Sequence, residues 1–180
     1  NSKVFTVADH QVAHIYIKDA SLESKVRELL ESTSGISSVW GKDEKIANGI
    51  NHQRSGNLIA ISDENAWFTY YYWLNDNVAP DFARCVDIHR KPGYDPVELF
   101  KDQIRGSMPR VLFKLLKKKL GFRMLMDVIP LDASLVKGSH GCRPQNKSDW
   151  PILISKQNTS SKQTLLSTDV YDTLRSHILG

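Results

Sequence analysis

The stretch Val4-Phe5-Thr6-Val7-Ala8-Asp9-His10 stands near the start of the chain, and its first four residues are typical of a β-strand. The predicted strand runs directly into an Asp-His pair. A carboxylate and an imidazole are thereby placed where a buried strand meets its loop. These two groups are ligands that Zn²⁺, Mn²⁺ and Fe²⁺ accept. Asp9 and His10 are therefore candidate metal ligands.

A third candidate ligand lies far along the chain, in the segment Lys137-Gly138-Ser139-His140-Gly141. The glycines on either side allow the backbone to turn sharply, so the imidazole of His140 can approach a shared centre. The alternative for His140 is a ring that is hydrogen-bonded by the backbone of a glycine-rich turn. For Asp9 and His10 the alternative is a structural role, because one Asp-His dipeptide is a weak signal.

With these motifs the sequence resembles the alkaline phosphatase superfamily, and within it the type I phosphodiesterase/nucleotide pyrophosphatase family, with phosphonoacetate hydrolase-like members near by. The resemblance extends through NAWFTYYYW at residues 65–73 and VDIHRKPGYDP at residues 86–96, and it covers only the family's carboxy-terminal part. It implies part of an alkaline phosphatase-like α/β core with an inserted ferredoxin-like α+β lobe. The implied divisions are the lobe at 11–75, an irregular and helical excursion at 76–126, and the return to the core at 127–180.

The resemblance also implies an activity, the metal-dependent hydrolysis of phosphodiester or pyrophosphate bonds in a small nucleotide-like substrate. It implies two divalent cations, with Zn²⁺ as the expected metal and Mn²⁺ as the alternative; Asp9 and His10 would complete the shell of one cation and His140 that of the other. In the family the nucleophilic Thr or Ser and the remaining ligands lie upstream of the Asp-His pair. No catalytic nucleophile is therefore assigned in this chain, and we expect little or no activity from these residues alone.

Weaker candidates for substrate binding lie in the segment at 86–96. Asp87 and His89 would face the same side of an extended chain. Cationic side chains and an aromatic ring close to them would suit a phosphate and a base or sugar. A salt-bridged surface loop is the slightly favoured alternative. The candidates are Asp87, His89, Arg90, Lys91 and Tyr94.

His14 follows His10 by four residues, a spacing that on a helix would suggest a zinc pair. The β-branched pattern around it favours a strand instead, in which the two rings would lie far apart. We therefore predict that His14 belongs to the core or supports the ligands from behind.

The segment from Met108 to Phe122 has the pattern of an amphipathic helix, with leucines on one face and the lysines from Lys114 to Lys119 largely elsewhere. Such a basic run invites a nucleic-acid or membrane hypothesis. It contains no interleaved aromatic residue and no known nucleic-acid motif, so a solvated amphipathic helix is the ordinary explanation. We expect no specific binding to nucleic acid.

Other predicted elements follow from periodicity and from turn residues. A helix is predicted to begin at Ser21 and to end at Gly35 as its C′ residue, and the aromatic segment at 67–73 is predicted to form a hairpin with the strand before it. Residues 127–131 are predicted to return the chain to the sheet. The other predicted strands are 12–17, 36–40, 58–61 and 152–154, and the other helices are 41–48 and 168–178.

Size and composition set further bounds. The chain has 180 residues, of which 41% are hydrophobic, enough for one compact domain or one with a small appendage. No apolar run approaches the ~20 residues that span a bilayer, so no transmembrane segment is predicted. Cys85 and Cys142 stand in no metal-type spacing, and we predict free thiols in a reducing compartment, which favours a cytoplasmic location.

Two other functions stay open at this point. One is a non-catalytic binding module, in which the lobe and the basic helix engage a partner or an anionic surface. The other keeps an enzyme of the same superfamily but changes the reaction to cleavage of a phosphonate or a phosphomonoester, because a fold alone does not fix the substrate. The sequence does not define the oligomeric state.

Overall fold

The computed structural model of the chain describes residues 2–86, 96–156 and 164–179. Two compact units are distinguished, Asn1–Arg143 and Pro144–Gly180. Helices and a four-stranded sheet both occur, so the chain is a mixed α/β protein. Among the described residues, no helix is both long enough and apolar enough to cross a bilayer.

The sheet consists of β1 (Val4–Asp9), β2 (Val12–Ile17), β3 (Ile36–Trp40) and β4 (Leu58–Ser62). Its strand order is β1-β2-β4-β3, and every neighbouring pair is antiparallel. The central strands are therefore β2 and β4, and all of β4 is buried. In contrast, β1 is an edge strand with mostly exposed side chains, which corrects the prediction that Asp9 ends a buried strand.

Four α-helices accompany the sheet: α1 (Glu23–Glu31), α2 (Lys42–Ala47), α3 (Met108–Lys119) and α4 (Asp169–Leu179). The connection from β2 to β3 contains α1, and the connection from β3 to β4 contains α2; α4 lies in the second unit. A 3-10 turn at Ala20–Leu22 precedes α1, and Asp19 caps it by accepting a hydrogen bond from the Ser21 N–H. The predicted cap at Ser21 is therefore two residues late.

The main core lies between one face of the sheet and α1. In β2 the alternation predicted from sequence buries Ala13, Ile15 and Ile17, and their neighbours on β3 and β4 include Val39 and Leu58. The apolar stripe of α1 packs over them, through Leu22 just before the helix and Val26 and Leu30 within it. Full burial of a Val, Leu or Ile side chain contributes about 1.5–3 kcal/mol, and the partly buried side chains of α1 contribute less.

Three of the predicted local features are wrong. Residues 67–73 form no strand, because β4 already pairs with β2 on one side and β3 on the other and has no free edge for a hairpin partner. Gly35 is not the C′ residue of α1, which ends at Glu31 with Ser32 as its C-cap; its φ of +89° instead serves the turn before β3. Residues 152–154 form no strand either.

Residues 127–131 return to a different partner from the one predicted. Asp127 forms an isolated antiparallel bridge with Cys85, outside the four-stranded sheet. The Ile129 N–H donates to the Arg84 carbonyl over 3.0 Å, and the side chain of Ile129 is buried. Both cysteines are free thiols, as predicted, with Cys85 buried and Cys142 half-buried.

Candidate metal centre

The Asp-His pair lies at the tight connection between β1 and β2. Asp9 is the last residue of β1 and pairs with Val12, so His10 and Gln11 alone form the turn. His10 has a φ of +54°, the only positive φ of a non-glycine residue in the described part of the chain. The left-handed region costs a non-glycine residue about 1–2 kcal/mol, so other contacts must hold this turn in place.

Gln11 supplies many of those contacts. Its side chain is only 5% exposed, and its amide nitrogen Nε2 lies within 3.1–3.4 Å of the carbonyl oxygens of Asp63, Glu64 and Ala66. The backbone of the same turn is bonded on both sides: the Phe68 N–H donates to the His10 carbonyl over 2.7 Å, and the Ser62 N–H donates to the Gln11 carbonyl over 3.0 Å. The turn is therefore fixed to the loop that follows β4.

The same glutamine reaches the second predicted motif. The Gln11 N–H donates to the His140 carbonyl over 3.0 Å, and Gln11 Oε1 accepts from the Cys142 N–H over 3.4 Å and from the Cys142 thiol over 3.2 Å. We call this set of hydrogen bonds around Gln11 the Gln11 clasp. It joins three segments that are far apart in sequence: the β1–β2 turn, the loop at 63–66 and the turn at 140–142.

Gly141 allows this approach. Its φ is +126°, in the region that favours glycine, and a Cβ at this position would lie 3.1 Å from Val12 Cγ2 and 3.2 Å from Gln11 Cβ. Any other residue here would meet both backbone strain and crowding. The prediction that glycine permits a sharp turn beside His140 agrees with this geometry.

The two histidine rings meet as a result. The ring centroids of His10 and His140 are 4.2 Å apart, with an angle of 42° between the ring planes. The hydroxyl Oγ of Ser139 lies 3.3 Å from His10 Nδ1, and the ring of Tyr70 stands edge-on to His10 at 6.3 Å. His140 is exposed and His10 is half-buried, so the pair is reachable from solvent.

Imidazole nitrogens are donors that Zn²⁺ accepts, and four ligands are usual for that ion. The Ser139 hydroxyl lies at Nδ1 of His10, so Nε2 would be the nitrogen left for a cation. Asp9 is exposed, and its side chain lies on the strand face that also carries His14. In residues 2–86, 96–156 and 164–179, no group of three or more His, Cys, Asp or Glu side chains converges as a metal-binding group.

His14 lies on a strand, as predicted, but it is half-buried on the face of β2 opposite the core, and its ring is bonded to Gly56 rather than to a predicted ligand. The predicted role in the core or behind the ligands is therefore not confirmed. It stands in the middle of β2, and its Nδ1 accepts a hydrogen bond from the Gly56 N–H over 3.2 Å. Burial lowers the pKa of His14; the charge of Asp9 opposes that effect, and the charge of Lys45 adds to it. A neutral imidazole with Nδ1 as acceptor follows, which is a structural role.

Comparison with known proteins gives no match: no family model, no curated protein and no solved structure is similar to the chain. A function for this chain is therefore inferred from the geometry of its own residues.

The weaker candidates Asp87, His89, Arg90, Lys91 and Tyr94 fall outside the described residues. The residues that sequence reasoning missed are Gln11, Tyr70 and Cys142. A lone glutamine carries no spacing signal, and only its burial and its five side-chain contacts distinguish it. Ser139 was visible as a hydroxyl next to His140, but only the structure places it against His10.

Proposed function

We propose that this chain carries part of the metal centre of a hydrolase that cleaves phosphodiester or pyrophosphate bonds. The observation that supports the proposal is the meeting of His10 and His140, whose rings stand 4.2 Å apart although the motifs are 130 residues apart in the sequence. Asp9, His10 and His140 are the proposed ligands. A structural histidine pair would not need access to solvent, whereas a catalytic centre does.

The roles of this chain's residues follow from the contacts. His10 would present an imidazole nitrogen to one cation and His140 to the other, and the Ser139 hydroxyl lies 3.3 Å from His10 Nδ1. Asp9, next to His10 in the sequence, is proposed to add a carboxylate ligand, and its negative charge would favour a divalent cation. When bound, a pair of divalent cations stabilises the charge that develops on the entering and leaving oxygens of phosphoryl transfer. The Gln11 clasp keeps the two histidine segments in register for that task.

The finer architecture belongs to the same proposal. We propose that β2, α1, β3 and β4, within residues 11–75, form a ferredoxin-like lobe inserted in an alkaline phosphatase-like core. The antiparallel order β2-β4-β3, with α1 in the connection from β2 to β3, supports the lobe. By the resemblance, the nucleophile and the remaining ligands would lie upstream of the Asp-His pair.

The test uses the protein together with any residues that naturally precede Asn1. Metal-dependent hydrolysis of bis(p-nitrophenyl) phosphate would be measured with Zn²⁺ or Mn²⁺, and His140→Ala should lower the turnover at least about 100-fold because a ligand is lost. His52→Ala is the matched control, since His52 is exposed and its Nδ1 accepts only a local hydrogen bond from the Arg54 N–H.

Two outcomes would redirect the proposal. Turnover of p-nitrophenyl phosphate or phosphonoacetate in place of the diester would keep the metal centre and change the substrate class. If the folded protein shows no metal-dependent turnover of any of the three substrates, the proposed hydrolase activity is contradicted. A non-catalytic binding module would then be the remaining function.

A further inference from the structure

Helix α3 is attached to the rest of the protein by its charged side. The ammonium group of Lys114 forms an ion pair with the carboxylate of Asp127 and donates to the Leu125 carbonyl over 2.9 Å. Arg110, one turn earlier on the same side, lies 4.0 Å from Asp127. The side chain of Lys114 is accordingly only 16% exposed. These contacts fix the rotation of the helix about its own axis.

The leucine-bearing side of α3 is consequently turned away from those contacts. Leu112 is 58% exposed, Leu116 is 51% exposed and Leu120 is 64% exposed. No residue of the helix is buried. This arrangement is the reverse of an ordinary amphipathic surface helix, whose apolar stripe faces the core. We call this side the α3 apolar face; it consists of Met108, Leu112, Leu115, Leu116 and Leu120, extended by Phe113 and Phe122.

The charges carried by α3 and the residues just after it are all of one sign. Residues 108–123 contain six lysines and arginines and no aspartate or glutamate. Two of the six, Arg110 and Lys114, are engaged by Asp127. Lys117, Lys118 and Lys119 are exposed at the end of the helix, and Arg123 follows them with a side chain that is also exposed. The α3 apolar face is therefore bordered by cations.

We propose that α3 lies on an anionic lipid bilayer, with the α3 apolar face in the headgroup region and the bordering cations at the lipid phosphates. An apolar stripe flanked by lysines and arginines is the pattern of interfacial helices. Long lysine stems allow even Lys119, on the apolar side of the wheel, to extend its ammonium group to the headgroups. A function at a membrane surface goes beyond the proposed hydrolase and does not depend on it.

Charge complementarity selects this occupant over a second copy of the chain. A two-fold symmetric dimer through the α3 apolar face would set the same patch against itself. Residues 108–123 of the other copy contain no aspartate or glutamate to pair with Lys117, Lys118, Lys119 and Arg123, so such an interface would lack charge complementarity. A bilayer that contains anionic lipid supplies the opposite sign.

The experiment is sedimentation of the 180-residue protein with vesicles of phosphatidylcholine alone or with phosphatidylglycerol added. We expect binding that requires phosphatidylglycerol and weakens as salt is raised. The variant L112E/L116E removes the apolar contribution, and K117E/K118E/K119E reverses the charge. Each should weaken binding at least about tenfold. The control K18E/K25E/K42E makes the same change in net charge at exposed lysines elsewhere and should bind nearly as well as the parent.

Circular dichroism would establish that every variant keeps its fold. Absence of binding to phosphatidylglycerol vesicles by the parent protein would overturn the proposal. So would equal loss of binding in the control, which would reduce the effect to net charge. A dimer in sedimentation equilibrium that L112E/L116E dissociates would assign the face to a second copy. Binding by this chain but not by one extended upstream would show that other residues of the protein cover it.

Discussion

At the scale of single residues, Gln11 carries more of the site's architecture than either histidine. Its side chain bonds to the loop after β4 and to the turn at Cys142, and its backbone N–H holds His140. Without the buried amide of Gln11, several backbone groups would lose their hydrogen-bond partner at once. Removing this one side chain should therefore loosen three segments together.

For Gln11→Ala we expect a loss of about 2–4 kcal/mol in the free energy of unfolding. We also expect faster alkylation of Cys142, because its thiol loses the contact with Gln11 Oε1. Denaturant titration and a thiol-labelling time course would measure the two effects. Cys85 is buried and should react slowly in parent and variant alike.

Gln53→Ala is the control for that substitution, since Gln53 is exposed. It should change neither stability nor labelling. An unchanged rate of Cys142 labelling in Gln11→Ala would mean that the turn at 140–142 is held by other contacts, and the clasp would lose its assigned role.

At the scale of elements, the ion pair between Asp127 and Lys114 determines which side of α3 is exposed. Burial alone would raise the pKa of Asp127, but the hydrogen bond and charge of Lys114, with Arg110 beyond, outweigh it and lower the pKa below its usual 3.8. A carboxylate with a lowered pKa stabilises the fold above its unfolded pKa and loses that contribution as pH falls through the folded value. The anchor is thus fully charged at neutral pH.

The variant Asp127→Asn should release α3 at neutral pH. We expect amide hydrogen exchange in Met108–Lys119 to become about tenfold faster or more, because the partly buried pair with Lys114 is lost. Asp81→Asn is the matched control, since its pair with Arg123 spans 3.9 Å between exposed side chains and should contribute almost nothing. Equal exchange in parent and Asp127→Asn would show that the rotation of α3 is set by something else.

The elements also show what the sequence could and could not predict. Strong local patterns predicted β1 to β4 and all four helices, because strand alternation and helical periodicity are properties of a short window. The strand predicted at 67–73 was wrong, because strand-like composition does not show whether a sheet edge is free to pair with the segment. For α3 the pattern gave the helix and its two faces correctly. Which face would be turned inward depended on Asp127, a residue outside the helix.

In the candidate site, too, the sequence predicted some features and missed others. Asp9, His10 and His140 were proposed from motif resemblance, and His10 and His140 do lie together. Their juxtaposition depends on Gln11 and on the positive φ of Gly141, and neither feature leaves a periodic signal.

At the scale of the whole molecule, the first compact unit contains everything that positions the histidine pair. The four strands, α1 and the Gln11 clasp all lie within Asn1–Arg143. We expect a chain that ends at Arg143 to fold on its own and to unfold in one cooperative thermal transition. Circular dichroism would measure this, with Cys142 labelling as a second readout of the clasp. A truncated chain without a cooperative transition would show that Pro144–Gly180 contributes to the stability of the first unit.

The contact between His10 and Ser139 joins the first strand to a segment far along the chain. The contact of His10 with Ser139 closes a loop of 129 residues, and closing a loop of that length costs ~4 kcal/mol in chain entropy. A contact so remote in sequence forms only after the local elements have condensed, so the histidine pair is assembled late. During synthesis on the ribosome, His10 emerges long before its partner exists. The proximity of the two rings thus reports that folding is complete, because in an unfinished chain the two imidazoles are still apart.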